Sequence, residues 1–390
     1  MSQGIKSRRI TNGVFTILFN LKVLGRSNPT NLNVSRNNLA ATSNTKYALF
    51  GGGLSYSSNV YSTVDAYDSN LTKRFLNLSS SRSSLAATSI GDYAIFGGGG
   101  NNSSFSNVVD AFDANLTRTT PTVLNIARNS LAATSIGSYA LFGGGYYELR
   151  SNTVDAYNLS LARTTPTVLS VARDSLAATS IGSYALFGGD NEGSAVSDVV
   201  DAYDSSLTRT TTSTLSAARY RLAATTNSYY AFFAGGCYTD SSFSNVVDAY
   251  NSSLTRTTKS ELSVARSKLA ATSIGNYALF AGGVGLNGVI GDVDFYATEI
   301  YRTSLITLSQ ARSSLAATSI GDYAIFAGGY YSSSFSNISD AYTNHYKIQV
   351  YPGTKYSFNG SSEAESNTFQ TLNYTGALAG YLKVKNATVN

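Results

Sequence analysis

The chain is poor in the residues from which catalytic and metal centres are usually built. Its 390 residues include one Cys, one His, no Trp and only 4 Pro. A lone Cys237 excludes an intrachain disulfide framework and a Cys-cluster zinc site. A lone His345 excludes a multi-His metal site, and a Ser-His-Asp triad is not expected. No metal and no cofactor are therefore expected. Charge is scarce as well: charged residues are 13% of the chain, about half the usual ~25%. No apolar run approaches the ~20 residues needed to span a bilayer, so no membrane span is expected. Residues 14–21 are apolar but Asn20 interrupts them and Lys22 follows, which gives no clear signal peptide. Asn-x-Ser/Thr triplets, as at Asn70, Asn115 and Asn386, arise by chance in a chain this rich in Asn, Ser and Thr.

What is abundant points to β-structure. Hydrophobic residues make up 43%, enough to bury a core, and there are 28 Tyr and 34 Gly. One phrase, Arg-x-x-Leu-Ala-Ala-Thr, occurs seven times, at Arg36, Arg82, Arg128, Arg173, Arg219, Arg266 and Arg312. The spacings are 46, 46, 45, 46, 47 and 46 residues. A second phrase close to Val-Asp-Ala-Tyr keeps the same period, with its acids at Asp65, Asp110, Asp155, Asp201, Asp248, Asp294 and Asp340. Between them lies an aromatic-glycine phrase, as in Tyr139-Ala-Leu-Phe-Gly-Gly-Gly145.

Each unit reads as four short strands separated by Gly and Asn/Ser clusters. Examples are residues 131–136, 139–142, 108–112 and 117–124. The Ala-Ala pair suits a crowded innermost strand. The Gly pair suits a backbone with φ > 0 or a close approach to another sheet. A four-strand unit of this length predicts a β-propeller blade. The segment from Arg26 matches Arg118-Thr-Thr-Pro-Thr-Val-Leu124 in phase, whereas the last repeat loses its pattern after Tyr342. Residues 26–34 should therefore supply the missing strand of the seventh blade, beside residues 337–342, and remove two exposed sheet edges. The fold expected is all-β: a seven-bladed propeller over residues 22–342, with an N-terminal extension (1–21) and a small β-rich C-terminal module (343–390).

The repeat resembles the kelch repeat over about residues 22–342. The resemblance rests on the Gly pair ending the second strand and on an aromatic ending the third: Tyr67, Phe112, Tyr157, Tyr203, Tyr250, Tyr296 and Tyr342. The chain departs from that pattern in lacking a fourth-strand Trp. It also lacks the Trp-Asp pair of WD40 repeats and the Asp-box of sialidases. Some propellers of the kelch type hold a copper oxidase site, which needs His and Cys ligands; with one of each and no Trp, this chain is not expected to hold one.

Two sets of residues are candidates for function. The repeat Arg and Asp residues could form a ring of guanidiniums, but structural pairing once per blade is preferred, because stability requirements recur in every blade. Outer-strand cations such as Arg118, Arg209 and Arg256 spread the net +5 around the ring, so no nucleic-acid groove is expected. The loops between second and third strands diverge, at residues 54–59, 101–104, 146–150, 190–193, 237–240, 284–288 and 330–333. Their Tyr, Ser, Gly and Asn content resembles a recognition surface, although unconstrained loops would diverge as well. Ligand-binding candidates are Tyr56, Tyr146, Tyr147, Glu148, Asp190, Glu192, Tyr238, Asp240, Asn287, Tyr330 and Tyr331. Phe105, Phe243 and Phe335 are expected to pack the start of the third strand. No catalytic residue is assigned, and neither Cys237 nor His345 is given a role.

These features favour a non-enzymatic module that binds a protein or glycan on its loop face. A virion or bacterial cell surface is the favoured location, for example a phage tail fibre, with homo-oligomer or larger assembly formed through the termini. The alternatives are an intracellular kelch-like interaction scaffold and a hydrolase or lyase using loop carboxylates such as Glu148 and Asp190.

Overall fold

The computed structural model describes residues 8–9, 14–19, 25–191, 196–297, 302–343, 346–350, 354–358, 364–366, 370–374, 380–385 and 388–389. It divides into two compact units, Ser27–Ala341 and the paired ends Met1–Arg26 with Tyr342–Asn390. No α-helix occurs among the described residues.

The larger unit is a seven-bladed β-propeller with four antiparallel strands per blade. The third blade shows the plan: Ala132–Ile136, Tyr139–Gly143, Val154–Asn158 and Arg163–Thr164, paired in that order. We number the blades by their innermost strands, which begin at Ala40, Ala86, Ala132, Ala177, Ala223, Ala270 and Ala316. Along each innermost strand burial alternates, as in Ala86–Ile90. Ala86, Thr88 and Ile90 are buried, and the half-buried Ala87 and Ser89 occupy the other face. Small side chains are required there because seven strands converge on one axis.

The core lies between blades. Ile95, Val109 and Ala111 of blade 2 meet Ala140, Phe142 and Tyr157 of blade 3. The equivalent layer between blades 7 and 1 joins Ile325 and Ala327 to Phe50 and Tyr67. A Cβ on Gly97 would lie 2.8 Å from the Phe142 ring, so the missing side chain is the socket into which the next blade's Phe fits. Gly98 has φ +70°, and a Cβ there would lie 2.7 Å from the Arg128 carbonyl oxygen. This tight contact lets Gly99 N–H donate to Arg128 C=O across the blade boundary, at 2.9 Å.

The repeat Arg and Asp form one fully buried ion pair per blade. In blade 3, Arg128 Nη2 donates to Asp155 Oδ2 at 2.9 Å. The same guanidinium donates to the carbonyls of Gly144, Ile126 and Phe142. Asp155 Oδ1 also accepts from Asn125 N–H and from Arg163 of the outermost strand, each at 2.9 Å. Asn125 and Arg128 lie on the segment that carries the chain in from blade 2. One carboxylate thus joins the linker, the innermost strand's entry and the outer strand. Burial pulls the guanidinium pKa of Arg36, Arg128 and Arg266 down, and the paired carboxylate pulls it back up.

Residues 26–34 lie against the seventh blade as expected. Gly25–Ser27 is its outermost strand, beside Ser339–Thr343. Leu32 N–H donates to Asn337 C=O at 2.8 Å and Arg36 N–H to Ser336 C=O at 3.0 Å. The fourth strand is shorter than expected, Arg118–Thr119 rather than residues 117–124. Pro121 has no N–H to offer a ladder. The chain then crosses to the next blade, where Thr122 C=O accepts from the Tyr157 hydroxyl at 2.7 Å. In the unit formed by the ends, Val14–Phe19 pairs with Gly380–Lys385, which pairs with Thr354–Phe358. Tyr346–Val350 pairs with Gln370–Tyr374.

Asp155→Ala should destabilise the propeller by about 3–5 kcal/mol in denaturant titration, because it strands the buried Arg128 charge. Replacing both partners by apolar residues, as in Arg128→Met with Asp155→Leu, should recover part of that loss. Gly98→Ala should cost about 1–3 kcal/mol through its left-handed backbone alone, with the contact on Arg128 O added to that.

Candidate functional site

The loops between second and third strands gather at one end of the axis, where the innermost strands begin. Bridges fix this placement: Asn37 pairs with Leu54, Asn129 with Tyr146, Tyr220 with Cys237 and Ser313 with Tyr330. The residue after the repeat Arg is thereby bonded to the root of its own blade's loop.

The next residue along reaches the axis. Asn38, Ser84, Ser130, Ser175, Arg221, Lys268 and Ser314 all take φ between 50° and 57°. Their backbones bond in a closed circle. Ser84 N–H donates to Asn38 C=O, Ser130 to Ser84, Ser175 to Ser130, and Arg221 to Ser175. Lys268 then donates to Arg221, Ser314 to Lys268 and Asn38 to Ser314, with all seven distances between 2.9 and 3.2 Å. Left-handed backbone is unfavourable for side chains other than Asn, Asp and Gly, so the ring is maintained by these bonds and by the blade packing around it. A cavity of about 260 Å³ opens here, lined by these seven residues and the seven Leu that follow them.

Most positions of that circle carry Ser or Asn. Blades 5 and 6 carry Arg221 and Lys268 instead. Blade 5 departs further, with Tyr220 where the other blades have Asn, Ser or Asp. The Tyr220 hydroxyl donates to Asp240 Oδ1 at 2.7 Å, and Arg221 Nη1 donates to the same oxygen at 2.7 Å. The Arg221 guanidinium lies 4.9 Å from the Tyr220 ring centroid, a cation–π contact. Hydrogen bonds from Tyr220 and Arg221 hold the Asp240 carboxyl below the usual carboxylate range. Burial, and then the nearby Arg221 charge, lowers the Lys268 ammonium pKa.

Around the cavity stand hairpins of differing shape. Tyr146–Tyr147 pairs with Leu149–Arg150, and Tyr330–Tyr331 with Ser334–Phe335. Val284–Gly285 pairs with Gly288–Val289, and blade 4 extends its strands as Tyr184–Asn191 and Val196–Asp204. Tyr56, Tyr147 and Tyr331 are 53%, 43% and 38% exposed, and Leu149 and Leu286 reach 78% and 84%. Glu148, Asp240 and Asn287 are exposed, whereas Tyr146, Tyr238 and Tyr330 are half-buried. The Tyr238 and Ser244 hydroxyls are hydrogen-bonded at 3.1 Å.

Several placements differ from expectation. Asp190 is fully buried, and its Oδ1 accepts Asp174 N–H at 2.9 Å, so it belongs to the frame and is closed to a ligand. It therefore cannot pair with the exposed Glu148 in an open site. Glu192 lies outside the described residues. Phe105 and Phe335 join the loop surface rather than only packing their own strands. Phe335 meets Tyr56 of the next blade edge to face at 4.9 Å, and Phe105 meets Tyr147 of the next blade at 5.3 Å. Phe243 pairs with Cys237 in its hairpin. Tyr220, Arg221 and Lys268 were not singled out, yet the signal was in the sequence, as departures from the repeat at aligned positions.

Among the described residues no group of three His, Cys, Asp or Glu is placed to hold a metal ion. No family model matches the chain, and no curated protein matches it.

Cys237 is buried, and burial raises its thiol pKa. The thiol should resist a disulfide reagent at pH 8 in the native protein and titrate as one equivalent in denaturant. Rapid reaction of the native protein would contradict its burial.

Proposed function

We propose that the protein is a non-enzymatic recognition module, a kelch-like propeller that binds a protein or glycan through its hairpin-bearing end. The supporting observation is the contrast between frame and loops. Every blade repeats the same ion pair and the same place in the peptide circle, and blades 1 to 6 share one aromatic pair, while differing loops surround one cavity. Exposed Tyr side chains on short hairpins give large contact area at low entropic cost, and the neighbouring Ser and Asn offer adaptable hydrogen bonds. Aromatic contacts between adjacent blades, such as Tyr56 with Phe335, pre-organise that surface. The kelch-like assignment rests on the glycine pairs and the third-strand aromatics. Display on a virion or bacterial surface, with the chain ends joining a larger assembly, suits such a module. Several copies on one assembly would raise a weak affinity by avidity.

A glycan array probed with the labelled full-length protein tests this. Binding is expected, and Tyr56→Ala, Tyr147→Ala or Tyr331→Ala should weaken it by about tenfold or more while the thermal midpoint stays put. Binding that survives all three substitutions together would place recognition elsewhere.

A further inference from the structure

We propose that the axial cavity at blades 5 and 6 is an oxyanion site, in which Lys268 and Arg221 receive a carboxylate or phosphate group of a small ligand. The proposal rests on the recognition end described above and names the chemistry of one subsite within it.

Three observations support the site. First, the frame does not require the cations. Four of the seven circle positions are Ser and one is Asn, at the same backbone conformation and with the same peptide bonds. Long cationic side chains at φ 54° and 53° are poorer choices for that backbone than Asn, so their presence at two adjacent blades calls for another cause. Second, Arg221 is positioned. The Tyr220 ring lies under its guanidinium, and Asp240 takes Nη1, leaving the rest of the guanidinium fork for a ligand. Asp240 is itself tied by the Tyr220 hydroxyl, so the three side chains form one bonded unit, of which Arg221 lines the cavity. Third, the Lys268 ammonium has no hydrogen-bonded or ion-paired acceptor among the described residues, and the Arg221 charge opposes its own. An oxyanion between the two would satisfy both cations and reverse that opposition.

The surrounding hydroxyls suit the remainder of such a ligand. Ser130, Ser175 and Ser314 line the same cavity, and its ~260 Å³ accepts a molecule of about monosaccharide size. A hexuronic acid or a sugar phosphate would place its charged group against blades 5 and 6 and its hydroxyls toward the serines.

Calorimetric titration of the full chain with methyl glucuronide, inorganic phosphate and neutral methyl glucoside tests the site. The two anions should bind and the glucoside should not. Arg221→Ser with Lys268→Ser restores the residue found in four other blades, so the fold should be kept, and anion affinity should fall by at least about tenfold. Lys46→Ser with Arg74→Ser removes the same charge elsewhere on the propeller and should leave affinity unchanged. Equal anion binding by the Arg221/Lys268 variant, equal binding of the glucoside, or no binding of either anion at about 10 mM would overturn the proposal. A response to phosphate but not to glucuronide would keep the site and assign it to phosphate. Array binding that depends on Tyr147 but not on Arg221 and Lys268 would leave the recognition end standing and remove this subsite alone.

Discussion

A carboxylate buried where three chain segments meet holds each blade to its neighbour. Asp155 accepts from the linker at Asn125, from the Arg128 guanidinium and from Arg163 on the outer strand. Asp201 and Asp248 do the same in their blades, with Ser170, Arg173 and Arg209, and with Ser216, Arg219 and Arg256. A buried charge whose counter-ion was removed would be strongly destabilising, so the sequence around each pair has little freedom. That constraint accounts for the repetition of the phrase.

The pairs orient the blades, and apolar contact holds them together. Blades 1 to 6 each present a Phe and an aromatic from the third strand, edge to face, to the small residues of the blade before. Phe142 and Tyr157 lie 6.0 Å apart at 89°, and Phe187 and Tyr203 repeat the arrangement. The tyrosine hydroxyls then cross to linker carbonyls, as Tyr203 does to Thr167 at 2.8 Å. A tyrosine serves here where a phenylalanine would leave that carbonyl without its partner. The high Tyr content therefore belongs partly to the frame and partly to the exposed hairpins.

The architecture was legible in the sequence because each of its determinants recurs. Aligned glycine pairs in six blades, with Gly189–Asp190 in the fourth, announce a backbone where side chains are disfavoured, and seven Ala-Ala pairs announce the crowded axis. The strand that closes the ring was legible because residues 26–34 share the phase of later linkers. The recognition end was less legible, because a single loop sequence does not show how deep a residue lies. Asp190 reads like an exposed loop acid but occupies a frame position, where its N–H donates to Arg219 C=O. Phe105 and Phe335 read like core residues but touch the tyrosines of the adjoining blade. Tyr220, Arg221 and Lys268 sit inside the repeat phrase, where regularity draws attention away from the individual exceptions.

The circle of peptide bonds at the axis has an electrostatic consequence. All seven N–H groups point the same way round, head to tail, and tangential dipoles on a closed loop cancel. Unlike a helix terminus, the backbone here presents no pole to a molecule arriving along the axis. The potential at the mouth is then written by side chains, above all by the one each blade contributes to the circle and by any charge bonded to it, as Asp240 is to Arg221. Changing a single one of those side chains alters what the mouth attracts, while the circle, the glycine sockets and the buried pairs continue undisturbed. Such a molecule can acquire a new partner by point substitution without first having to survive a loss of stability.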